Sequence, residues 1–260
     1  MVNIKSKKHL GQHFLKNPDI AKQIVESIVD REGRVFEIGP GMGILTQFLI
    51  EQKREFMAMD VDKDSIDYLR HKYSNYKNCF VLGDFLQMGE GLLKNGDILL
   101  GNFPYNISSQ LFFSIYNRNH QVKEVVCMTQ KEVAERICSS PGNRTYGILS
   151  VLLQAFYSVE YLFTVEANNF VPPPKVLSAV IRLRRNSINK LNCDENLFKR
   201  LVKEGFGKRR KTLRNALNAF YLPDSIKKEE VFGKRAEQLS VKDYVKLARQ
   251  ISKHKISNGI

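Results

Sequence analysis

The chain has 260 residues, 43% hydrophobic and 26% charged, a balance that excludes a disordered segment and suits one mid-sized α/β domain with a smaller companion. Lys and Arg total 41 against 27 Asp and Glu, a net charge of +14, which favours a polyanionic partner, nucleic acid above all. The excess is uneven, because residues 186–260 hold 18 Lys and Arg against 8 Asp and Glu. Cys79, Cys127, Cys138 and Cys193 form no CxxC pair, so no metal site and no disulfide framework is expected. Met1–Leu10 carries lysines without a following apolar run, and no stretch approaches 18 apolar residues. A cytoplasmic protein without a membrane span is expected.

In chain order, Asn17-Pro18 ahead of Ile20, Ile24 and Ile28 predicts an N-capped amphipathic helix with proline at its first position. Residues 34–39 predict a strand running into a glycine turn, with the helical pattern Ile44, Leu45, Phe48 and Leu49 behind it. The alternation continues with strands at 56–60, 79–84 and 97–101 and a helix at 65–73, which implies βαβ units and a mostly parallel sheet. A strand at 122–128, a helix at 131–138 and a largely buried helix at 147–157 follow. Strands at 162–165 and 179–183 close the sheet as a hairpin-like pair around Pro172-Pro173-Pro174. After Arg185 only charged helical stretches remain, at 196–204, 211–220 and 241–252. The reading is therefore a Rossmann-like α/β domain at 1–185 and a small, basic, all-α domain at 186–260, in a monomer, since nothing suggests a coiled coil.

Three successive strand ends offer polar groups to one crevice. Glu37-Ile-Gly39-Pro-Gly41-Met-Gly43 follows a strand and opens a helix, where glycines let a ligand approach the backbone. A dinucleotide fingerprint needs its third glycine at position 44, where Ile44 stands, so pyrophosphate binding is disfavoured. Asp60 and Asp84 end the next two strands, where doubly wound folds present a carboxylate to ribose, although a lone aspartate there is more often a helix cap. Together these groups suit a nucleoside carrying an amino acid, which describes S-adenosylmethionine.

The fourth strand ends in Asn102-Phe103-Pro104-Tyr105, facing the same crevice. An adenine amino group is a poor nucleophile because its lone pair is delocalised into the ring, so a catalyst must hold both N–H groups and leave the nitrogen pyramidal. The Asn102 side-chain carbonyl and the Phe103 main-chain carbonyl can accept those hydrogens, with Pro104 stiffening the turn and Tyr105 stacking on the base. The methyl donor is a sulfonium with a neutral leaving group, so neither a metal nor a strong base is required.

With these residues in place, the sequence resembles the KsgA/Erm family of ribosomal RNA adenine dimethyltransferases from about Lys8 to about Lys246. The resemblance is carried by Gly11-Gln-His-Phe-Leu15, Glu37–Gly41, Asn102–Ser108, Gln130-Lys-Glu132, Phe170–Val176 and Phe206–Asn215. It implies that His13 and Leu15 contact the donor, Gly39 lies under its methionine part, Asp60 holds the ribose, Asp84 reads the adenine amino group and Asn102 bridges donor and target. It further implies that Phe170 stacks on the flipped base opposite Tyr105. His13 stands where the family commonly has asparagine, Asp60 where glutamate is usual and Phe103 where leucine or isoleucine is usual, substitutions that preserve the local roles. Phe170–Val176 and Phe206–Asn215 look like the housekeeping KsgA branch, which implies a pair of adjacent adenines near the 3′ end of 16S RNA in the immature small subunit. Lys208, Arg209, Arg210, Lys211 and Arg214 are suited to its phosphates, and Lys5, Lys7 and Lys8 to a flexible arm. The rival readings are an Erm-like enzyme acting on large-subunit RNA, a DNA adenine methyltransferase, and a ribosome-assembly factor whose methylation is secondary.

Overall fold

The computed structural model describes residues 6–89, 91–220, 222 and 224–257. Packing divides the chain into two compact units, residues 1–134 with 158–185, and residues 135–157 with 186–260.

The first unit is a layered α/β fold. Its elements are β1 (Phe14–Leu15), α1 (Pro18–Glu26), β2 (Val35–Ile38), α2 (Thr46–Glu51), β3 (Phe56–Asp60), α3 (Lys63–Lys72), β4 (Phe80–Leu82), β5 (Asp97–Asn102), α4 (Ser108–Asn117) and β6 (Val122–Gln130). After α5 (Lys131–Cys138) and α6 (Ile148–Gln154) come β7 (Tyr157–Val165), β8 (Phe170–Val171) and β9 (Ser178–Arg185). Among the described residues seven strands form one sheet in the order β4-β3-β2-β5-β6-β9-β7. The β2–β3, β2–β5, β3–β4 and β5–β6 pairs are parallel and β6–β9 is antiparallel. As the sequence predicts, α1 begins at Pro18, and the Asn17 side chain accepts hydrogen bonds from the Asp19 and Ile20 amides. Its apolar face, Ala21, Ile24 and Val25, is fully buried.

The chain runs outward from β2 through β3 to β4, then returns to lay β5 on the other side of β2. This reversal opens a crevice at the carboxyl ends of β2 and β5. At the opposite edge Arg34 forks onto Asp97, with Nη2 2.6 Å from Oδ2 and Nε 3.1 Å from Oδ1. Both side chains are nearly buried, so this pair ties β2 to β5 in a low-dielectric setting. β1 and β8, two residues each, form a separate antiparallel ribbon that pairs Leu15 with Phe170; strands this short carry no periodicity.

The second unit is built from helices: α6, α7 (Glu195–Gly207), α8 (Leu213–Ala216), α9 (Asp224–Lys227) and α10 (Val241–Ser257). Among the described residues its strand pairing is one bridge, Thr212 to Arg235. The division expected at Asn186 assigns residues 135–157 to the first domain, whereas packing gathers them into the second unit. The reason is α6, Ile-Leu-Ser-Val-Leu-Leu-Gln, which is buried from Leu149 to Leu153. A helix with five consecutive buried residues must be covered on most of its faces, and α7 and α10 both pack on it. Among the described residues no helix is long and apolar enough to cross a membrane.

Candidate active site

Each of the three glycines after β2 has its own geometric reason. Gly39 has φ +68° and nothing within 4 Å of where a Cβ would stand, so its backbone is bare toward the crevice. Gly41, with φ +53°, lets Phe14 approach to 2.9 Å of a Cβ position, and Gly43, with φ +77°, does the same for Leu69 at 2.6 Å. The first glycine thus opens the crevice, while the second and third admit β1 and α3.

Asp60 ends β3 at the crevice, 7% exposed. Its carboxylate accepts from the Gly41 amide at 3.2 Å and the Asp62 amide at 2.9 Å. Burial raises its pKa, against the opposing pull of these N–H groups. Behind it Glu37 is fully buried and accepts the Thr46 hydroxyl at 2.6 Å. Burial, opposed by that hydroxyl and reinforced by the Asp60 charge, pushes the Glu37 carboxyl up to about 7. Glu37 had no role from sequence alone, although a lone acid in the apolar run Val-Phe-Glu-Ile is the signal that marks it.

Asn102 ends β5, and its Nδ2 donates to the His13 carbonyl at 2.8 Å. A carbonyl can only accept, so the amide orientation is fixed, and Oδ1 is the end left over. Among the described residues that oxygen accepts no hydrogen bond. The His13 ring stacks on Tyr105 with centroids 5.4 Å apart and planes at 26°, and His13 Nδ1 lies 2.8 Å from the Pro172 carbonyl oxygen. The Tyr105 hydroxyl is hydrogen-bonded to the Ser178 hydroxyl, and burial raises the phenol pKa. Phe103 is buried with its ring against Phe112, and its amide donates to the Met128 carbonyl at 2.9 Å. The crevice so formed is open to solvent and is bordered by Leu10–Phe14, Gly39, Gly41, Asp60, Val61 and Asn102–Tyr105.

Three expected residues stand elsewhere. Leu15 and Phe170, cross-strand partners, are 5% and 1% exposed in the apolar core with Val165 and Val180, so Phe170 presents no face to the crevice. Asp84 lies just beyond β4, and its carboxylate accepts from the Leu86 amide at 2.9 Å, an aspartate side chain closing a local turn rather than capping a helix. Gln12, unassigned from sequence, borders the crevice instead.

The profile of the family described as Ribosomal RNA adenine dimethylase matches residues 3–253. This chain belongs to that family. It is 48% identical over 252 residues to Ribosomal RNA small subunit methyltransferase A of Bacteroides thetaiotaomicron, covering 95% of this chain and 94% of that one. The corresponding protein of Cytophaga hutchinsonii is 47% identical over 256 residues, covering 97% and 99%. Among solved structures, a dimethyladenosine transferase from Plasmodium falciparum superposes with a TM-score of 0.79 at 25% identity, covering 95% of this chain and 99% of that one. The 23S rRNA methyltransferase ErmE shares the fold, with a TM-score of 0.66 at 24% identity and coverage of 90% and 99%.

As a member of this family the chain is a methyltransferase whose donor is S-adenosylmethionine, and the crevice fits that donor. The backbone at Gly39 is bare, a buried carboxylate stands at the end of β3, and Val61, 48% exposed, adds an apolar border.

The basic residues of the second unit divide into two groups. Arg209 donates to the Arg144 carbonyl and lies 3.7 Å from the Glu237 carboxylate, Lys208 reaches the Ala216 carbonyl at 3.3 Å, and Arg214 reaches the Lys227 carbonyl at 3.2 Å. Arg210 and Lys211 are exposed, and their side chains make no hydrogen bond or ion pair among the described residues. Lys5 lies outside the described residues. Lys7 is no flexible arm, because its ammonium is held by Asp62 at 2.6 Å and Asp64 at 2.8 Å.

Proposed function

We propose that this chain, a cytoplasmic monomer, transfers methyl groups from S-adenosylmethionine to N6 of two adjacent adenines in the 3′-terminal hairpin loop of 16S RNA, within the immature small subunit. The observation that carries the reading is the fixed orientation of Asn102. With Nδ2 committed to the His13 carbonyl, Oδ1 is the acceptor for one N6 hydrogen, and the Phe103 carbonyl is the acceptor for the other. Holding both hydrogens takes the nitrogen lone pair out of conjugation with the ring. Bound S-adenosylmethionine supplies an electrophilic methyl on a sulfonium, so the chain's task is alignment more than acid or base chemistry.

The other roles follow from placement. Asp60 holds the donor's ribose, the bare backbone at Gly39 accommodates its methionine part, and His13 locks Asn102 to the Leu10–Phe14 segment. Tyr105 supplies the aromatic face for the target base, and its hydroxyl bond to Ser178 sets the ring angle. A stacking role for Phe170 would need β8 to peel away from β1, since the ring is in the core. Asp84 would have to read the donor's adenine with the carboxylate oxygen that does not accept from the Leu86 amide. Arg210 and Lys211, exposed and unpaired, bind RNA phosphates. The names of the relatives, small subunit methyltransferases, support the choice of ribosomal subunit.

The test is methyl transfer from labelled S-adenosylmethionine to immature 30S and to 50S particles in parallel. Label confined to 16S RNA supports the reading. Label in 23S RNA replaces it with an Erm-type activity, and label in neither leaves a docking role.

A further inference from the structure

The segment that begins at Lys7 lies along one side of the candidate donor crevice and supplies five consecutive border residues, Leu10–Phe14. At its distal end the His13 carbonyl accepts from Asn102, and a Cβ on Gly11 would stand 2.6 Å from Asn106 Oδ1, so the strap passes tightly over the catalytic turn. At its near end the Lys7 ammonium bridges Asp62 and Asp64. The Lys7 amide donates to Gln12 Oε1 at 2.8 Å, and Gln12 Nε2 donates to Asp62 Oδ2 at 3.0 Å, which closes a ring of contacts between the strap and Asp62. Asp62 has a fully buried side chain, caps α3 through the Asp64 amide at 3.0 Å, and donates its own amide to Asp60. One chain of contacts thus runs from Lys7 through Asp62 to the carboxylate assigned to the ribose. No other cation is paired with Asp62 among the described residues, and the two carboxylates hold the ammonium well above its ordinary pKa.

We infer that Lys7 is a positioning residue for the methyl donor: by fastening the near end of the strap to Asp62 and Asp64, it preorganises Gln12 and His13 over the crevice. The inference rests on the reading that this crevice takes S-adenosylmethionine. A strap fixed before the donor arrives lowers the ordering cost of binding. Unfastening it therefore weakens donor binding and leaves the Asn102 chemistry intact once the site is filled.

The experiment is calorimetric titration of the full chain with S-adenosylhomocysteine, whose net charge is near zero, so salt acts mainly through the protein's own ion pairs. Wild type, Lys7→Met and Lys7→Arg are compared at about 0.05 M and about 0.5 M NaCl. Lys7→Met weakens binding about threefold to tenfold at low salt, wild type keeps most of that advantage at high salt because the Asp62 side chain is buried, and Lys7→Arg restores wild-type affinity. In methyl transfer, Lys7→Met raises KM for the donor with kcat nearly unchanged. Equal affinity in wild type and Lys7→Met at both salt concentrations overturns the inference. Wild type that binds no S-adenosylhomocysteine instead overturns the donor reading beneath it. Should Lys7→Met not fold, amide exchange in wild type decides: Lys7 and Leu10 amides, which donate to Gln12 Oε1 and the Lys7 carbonyl, already protected without ligand support the fastening, whereas free exchange without ligand refutes it.

Discussion

Glu37→Gln isolates one physical claim about the glycine turn. The carboxyl is fully buried, and its pKa is pushed up to about 7 from an ordinary 4.5, so the folded state holds a proton that the unfolded chain gives up. The sign follows: this group's contribution is fully present at low pH and is lost as pH rises through the window from 4.5 to 7. With each pKa unit worth about 1.4 kcal/mol, the contribution lost between pH 5 and pH 8 is roughly 2–3 kcal/mol. Glutamine keeps the shape and an oxygen for the Thr46 hydroxyl but cannot titrate. Urea unfolding of both proteins, followed by circular dichroism at pH 5 and pH 8, gives a double difference in which any pH-independent effect of the amide cancels. The variant gains roughly 2–3 kcal/mol on wild type across that interval. A double difference near zero, or one in which the variant loses ground as pH rises, would refute the picture of a buried, proton-holding Glu37.

Asn102→Ala lowers methyl-transfer kcat by a factor on the order of 10²–10³ while calorimetry shows small-subunit binding nearly unchanged; loss of both would tie docking to the catalytic turn. Arg34→Met leaves Asp97 buried without its partner and costs about 3–5 kcal/mol in urea unfolding, most of it recovered in Arg34→Met with Asp97→Asn. Gly39→Ala forces a Cβ onto φ +68° and costs about 1–2 kcal/mol, with a larger loss of S-adenosylhomocysteine affinity because the new methyl stands in the open crevice. Arg210→Ala and Lys211→Ala each reduce the salt slope of RNA binding by about one, read from filter binding over a salt series. Arg209→Ala shows instead a lower unfolding midpoint, since its side chain is engaged by the Arg144 carbonyl.

The parallel sheet was legible because its strands are buried on both faces and read as short apolar runs ending in turn residues, as Val35–Ile38 and Asp97–Asn102 do. Strand ends then located the crevice: Gly39, Asp60 and Asn102 all border it. What the sequence does not reveal is which expected neighbours turn inward. Phe170 and Leu15 sit on two-residue strands whose pairing depends on a contact between positions 155 residues apart, and no local pattern encodes that. The same holds for Lys7, which reads as one more lysine in a basic start until Asp62 and Asp64 are brought to it. Residues 135–157 fall on the other side of the packing division from the sequence expectation, because a mostly apolar helix looks alike in either core; the partners α7 and α10 decide.

The most direct test of the central claim is nucleoside mass spectrometry of 16S RNA after reaction with immature 30S particles, with the modified positions mapped by primer extension. The account predicts N6,N6-dimethyladenosine at two adjacent adenines near the 3′ end, absent with Asn102→Ala. Methylation at another atom of adenine, or at another base, would contradict the role given to the Asn102 oxygen.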